Sequence, residues 1–105
     1  MFRKKYEDEE GGVSVYQNPE SEGHFMVEAS QDSELGWLAF DSFLERGIVG
    51  PQYDISEFPV NFYYSKKFDS SINVSLYDMD ITIGEDDKNY KNYKKIKDYL
   101  ENLVK

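Results

Sequence analysis

From Ile72 to Ile83 the apolar residues fall on alternate positions: Ile72, Val74 and Leu76, then Met79, Ile81 and Ile83. A period of two places such residues on one face of an extended chain. A sheet with one apolar face needs a second layer to cover it, so this stretch demands a partner element elsewhere in the chain. The phase slips between Leu76 and Met79. A β-bulge near Tyr77-Asp78 explains the slip, and so does a tight turn between two strands.

Two segments with helical periodicity can supply the cover. In the C-terminal one, Tyr90, Tyr93, Ile96, Leu100, Leu103 and Val104 recur at helical spacing, with Lys88, Lys91 and Lys95 away from the stripe. Glu85-Asp86-Asp87 suits the positive end of a helix dipole, which predicts a helix over about 86–104. The pairs Lys94/Asp98 and Glu101/Lys105 support it at i,i+4. The other helix is predicted over about 33–46. Asp32 or Ser33 can cap it, and Glu34 stands in its first turn. Leu35, Trp37, Leu38, Ala39, Phe40, Phe43 and Leu44 cover more than half its circumference, as expected of a helix central to the core. Gly47 can take the left-handed cap, Ile48 can close it with an apolar contact, and Pro51 follows as a stop.

The rest of the chain reads as strands and turns. Val13–Tyr16 is a short β-branched run, and Phe25, Val27 and Ala29 alternate within His24–Ala29. The intervening Asn18-Pro19-Glu20-Ser21-Glu22-Gly23 has turn composition, so the two strands form a hairpin. Residues 50–59 form a loop bounded by prolines, Val60–Tyr64 reads as a strand, and Lys66–Ser71 as a polar turn. The expected fold is α+β: a mostly antiparallel sheet with two helices packed on one face. A length of 105 residues suits one domain, and no internal sequence repeat is present. Residues 1–12 are a mobile charged arm or an edge strand followed by a turn at Gly11-Gly12.

Residue types narrow the chemistry. The absence of cysteine removes disulfides, thiolate metal sites and thiol nucleophiles. His24 is the only histidine, too few for the usual triads or zinc sites, and it reads as a surface residue. Asp78, Asp80, Glu85, Asp86 and Asp87 cluster in sequence, but counting an EF-hand from Asp78 puts Ile83 at the glycine position and Asn89 at the bidentate glutamate. They read as solvated strand and helix-start residues, with no metal or cofactor expected. Asn73-Val74-Ser75 matches a glycosylation sequon by chance within a strand. A carboxylate pair could serve a small hydrolase, but without a glycine-rich phosphate loop or a further motif the chain is not expected to be an enzyme. The charged start and the lack of a run of ~20 apolar residues predict a soluble, cytoplasmic protein.

Charge carries the functional expectation. Of a net charge of −9, essentially all the excess lies in the N-terminal half: Glu7 to Glu45 holds eleven acidic residues and no Lys or Arg. Phosphate backbones and anionic membranes repel such a surface, whereas a basic protein surface is drawn to it. The expected partner is therefore a basic protein surface, such as that of a protein that handles nucleic acid. Glu7, Asp8, Glu9, Glu10, Glu20, Glu22, Glu28, Asp32, Glu34 and Asp41 are the candidate contacts. An inhibitor or adaptor of the anti-defence or nucleic-acid-mimic type fits this pattern. The alternative is an immunity or antitoxin protein whose interface is aromatic and shape-driven, drawing on nine tyrosines. Lys88, Lys91, Lys94, Lys95 and Lys97 sit among acids and read as a solvated helix face, not a nucleic-acid footprint.

Overall fold

The computed structural model describes residues 2–21, 23–30, 32–50, 59–66, 71–86 and 90–104. Six strands form one antiparallel sheet: β1 (Arg3–Asp8), β2 (Val13–Gln17), β3 (His24–Ala29), β4 (Val60–Ser65), β5 (Ser71–Leu76) and β6 (Met79–Gly84). Their spatial order is their chain order. Helix α1 (Glu34–Glu45) lies between β3 and β4, and α2 (Tyr90–Leu103) follows β6. The order of elements is therefore βββα twice over, although the sequence itself does not repeat. The expected α+β architecture is what the chain adopts.

The register explains the alternation. Val15, Val27, Phe62, Val74 and Ile81 align across β2 to β6, as do Val13, Ala29, Val60 and Leu76. All of them are buried, on the face that the helices cover. The phase slip near Tyr77-Asp78 is a two-residue turn between β5 and β6: Leu76 faces Met79, and Tyr77 adopts φ 57. Residues 3–8 form an edge strand. Its register shifts between Lys4 and Tyr6, so Lys5 is the extra residue of a bulge, and its ammonium lies 5.7 Å from the centre of the Phe25 ring. Basic residues and a bulge are common devices against edge-to-edge pairing. The chain turns into β2 at Gly12, whose φ of 70 suits glycine and where a Cβ would collide with the Ser30 hydroxyl.

Helix α1 starts at Ser33, not Asp32: the Ser33 hydroxyl accepts the Gly36 N–H at 3.0 Å. At the other end Gly47 takes φ 71, with Gly47 N–H bonded to Leu44 O and Ile48 N–H to Phe43 O. These two bonds make the Schellman cap expected from the sequence. Ile48, however, remains exposed. Leu35, Ala39, Phe40 and Phe43 are buried as expected, and Leu38 and Leu44 are partly buried against the core, but Trp37 faces water. Helix α2 is described from Tyr90, and Asp86, its expected start, is not helical. Glu85 and Asp86 lie in a turn, and residues 87–89 are outside the described set, as are Pro51 and most of the 50–59 loop. Tyr93, Ile96, Leu100 and Val104 are buried, Leu103 is partly so, and Tyr90 is exposed. Lys97 meets Glu101 at 4.0 Å, an i,i+4 contact, and the expected Glu101/Lys105 pair lies outside the described residues. Among the described residues no helix is long and apolar enough to cross a membrane.

An acidic band from the sheet end to helix α1

On the sheet face opposite the helices the rows follow from the register. One row runs Glu7, Ser14, Glu28, Asn61, Ser75 and Asp80 across all six strands. Ser14 donates to Glu7 Oε1 at 3.3 Å. Asn61, between Glu28 and Ser75, holds a buried Oδ1 that has no donor among the described residues. The next row holds Lys4, Tyr16, Met26, Tyr63, Asn73 and Thr82. Lys4 reaches back to Glu7 at 3.1 Å. This hydrogen bond, with the Lys4 charge, holds the Glu7 carboxyl below the usual carboxylate range and lifts the Lys4 ammonium above its own.

The acidic row continues around the end of the sheet. Glu7, Asp8, Glu9 and Glu28 line a shallow depression of about 250 Å³, with Gly12, Ser14, Ser30 and Pro59 completing it. Asp8 Oδ1 accepts the Gly11 N–H at 3.0 Å, which fixes the turn that carries Glu9 and Glu10. The chain enters α1 at this same end. Ser30 donates to Asp32 at 2.8 Å, and Glu34 opens the helix. Tyr99 of α2 joins the two groups: burial raises its pKa, and the charges of Glu34 and Asp8, then the neighbouring Tyr6, push it higher. Fields from β1 and from α1 thus meet at one phenol. Tyr77 and Asp78, at the β5–β6 turn, lie at this end too, and both are exposed.

Of the ten expected contact residues, the fold gathers Glu7, Asp8, Glu9, Glu10, Glu28, Asp32 and Glu34 at this end. Asp41 lies farther along α1 and extends the band along its outer side. Glu20 does not belong to it. It sits in the β2–β3 turn at the opposite end of the strands, where Asn18 Oδ1 accepts its N–H at 2.9 Å. Glu22 lies outside the described residues. His24, read as a surface residue, is half-buried at the far end, where it lines a second depression of about 280 Å³ with Phe2, Tyr63 and Asn73. Among the described residues no three of His, Asp and Glu converge closely enough to hold a metal ion.

Sequence reasoning missed two exposed aromatics at or beside the band, Trp37 and Tyr77. Helical spacing did contain the first: Glu34, Trp37, Asp41 and Glu45 share one side of a helix whose other side is apolar. No family model matches the chain, and neither a curated protein nor a solved structure matches it.

Proposed function

We propose that this chain is a non-catalytic binding domain that docks a basic protein surface, acting as an inhibitor or adaptor of a partner that itself handles nucleic acid. The carrying observation is the carboxylate band from Glu28 through Glu7, Asp8 and Glu9 to Glu34 at one end of the sheet. Within it, Lys4 is the described cation that answers a carboxylate. Neighbouring like charges raise one another's energy, and a cationic partner relieves that repulsion as it docks.

The test uses the protein captured with this chain from its native cell. Affinity should fall steeply as salt rises, because exposed charges are screened beyond ~8 Å at physiological ionic strength. Reversal of Glu28 and Asp8 to Lys should weaken binding far more than Glu20→Lys, which lies at the other end. Salt-independent affinity, or equal losses at both ends, would refute this reading.

One observation favours a second reading, an immunity or antitoxin protein with an aromatic interface. Tyr77 is 64% exposed at a turn whose φ of 57 is uncommon for a non-glycine residue. In that case Tyr77→Ala would weaken binding more than the paired charge reversal does.

A further inference from the structure

The outer side of α1 is an exposed helix face with an unusual composition. Glu34, Trp37, Asp41 and Glu45 follow one another at spacings of three and four, so each side chain neighbours the next one turn on. All four are exposed, and Trp37 leaves 55% of its surface in water. Tryptophan is rarely left so open, because an indole gains more than most side chains from burial. The Phe40 ring touches it at a tilt of 75°, centroids 6.0 Å apart, which helps hold the indole in place on the helix. Among the described residues no Lys or Arg forms an ion pair with Glu34, Asp41 or Glu45. Ile48, 41% exposed, continues the apolar character past the helix end.

An indole flanked by carboxylates on both sides selects among cations. A guanidinium is planar and weakly hydrated: it stacks on an aromatic face while its N–H fork engages a carboxylate. A lysine ammonium is compact and strongly hydrated, so it keeps the charge attraction and loses most of the rest. We infer that the outer face of α1 docks an arginine-bearing segment of the partner protein, with one guanidinium stacked on Trp37 and paired with Glu34 or Asp41. The inference rests on the proposed docking of a basic protein. It adds where on the band contact is made and which cation is preferred.

Trp37 is the only tryptophan, so its fluorescence reports on this site alone. The full chain is titrated at low salt with oligoarginine and oligolysine peptides of equal length, with binding followed in parallel by the anisotropy of labelled peptide. Oligoarginine should shift the Trp37 emission saturably and bind about tenfold more tightly than oligolysine, the increment of a partly desolvated cation–π contact. Trp37→Leu should abolish the arginine preference while leaving the weaker affinity that both peptides share. Glu34→Gln with Asp41→Asn should reduce the emission response. Both positions and Trp37 are exposed, and circular dichroism checks that each variant folds. Equal affinities without an emission change, or an arginine preference that survives Trp37→Leu, would overturn the site on α1 and leave anionic docking standing. Failure of both peptides to bind would overturn the site and the proposed function together.

Discussion

Replacing Ser33 by alanine tests how α1, and with it Glu34 and Trp37, is anchored. The Ser33 side chain is almost wholly buried, accepts the Gly36 N–H at 3.0 Å and donates to the Ser30 carbonyl. Gly36 is buried as well, so water cannot replace the lost acceptor. Loss of an N-cap costs about 0.5–2 kcal/mol, and an orphaned buried donor places this site at the upper end, about 2 kcal/mol. For a domain of this size each kcal/mol shifts Tm by about 4–8 °C, so Ser33→Ala should melt roughly 8–16 °C lower. Asp32 is exposed and accepts from the Ser30 hydroxyl without capping the helix, so Asp32→Ala should cost under about 0.5 kcal/mol. Ser33→Thr keeps the hydroxyl and should recover most of the loss. Thermal and urea unfolding followed by circular dichroism measure all three. If Asp32→Ala cost as much as Ser33→Ala, the capping assignment would be wrong.

Two further perturbations probe the core and the band. Phe43 is fully buried between helix and sheet, so Phe43→Ala should cost about 3–5 kcal/mol, a large part of the 5–15 kcal/mol of an ordinary domain; urea midpoints decide it. Tyr99 should ionise late. Its pKa is raised in the folded chain, so stability is unaffected below about pH 10, the unfolded value, and falls as pH climbs from there through the folded one. NMR titration of ring-labelled tyrosine should show Glu34→Gln with Asp8→Asn lowering the Tyr99 pKa only part of the way, because burial is the larger cause; no movement would refute the convergence of the two charges there.

Much of the fold was legible because it depends on local periods. Alternation at Phe25, Val27 and Ala29 and at Ile72, Val74 and Leu76 marks strand faces, and the Gly47 cap is a local conformational requirement. What escaped depends on which elements meet. The α1 sequence offers more apolar positions than one packed face can absorb, and nothing local to the helix says that Trp37 is the one left out. The buried small residues Gly36 and Ser42 show which side packs closely, but they carry no hydropathy signal. The acidic band was half legible. Its residues are consecutive in the cation-free stretch, yet Glu7 meets Glu28 only because Ser14 lies between them in register. That register is set by the turn at residues 9–12, and the bulge at Lys5, which no residue type announces, brings Lys4 onto the same face as Glu7. Glu20 parts from the group for a plain geometric reason: a hairpin turn lies a full strand length from the strands' other ends.

Because the strands follow chain order, the two βββα units meet along a single seam, β3 against β4, where Phe25 faces Tyr64, Val27 faces Phe62 and Ala29 faces Val60. The helices bridge that seam: α1 packs beside α2, and the Arg46 guanidinium at the end of α1 donates to the Thr82 carbonyl of β6 at 3.0 Å. Severing the backbone between Gly50 and Pro59 would therefore yield two pieces, each with half a core and one edge ready to zip onto the other. Such pieces are suited to split-reporter complementation, in which neither fragment is stable alone and mixing restores the whole.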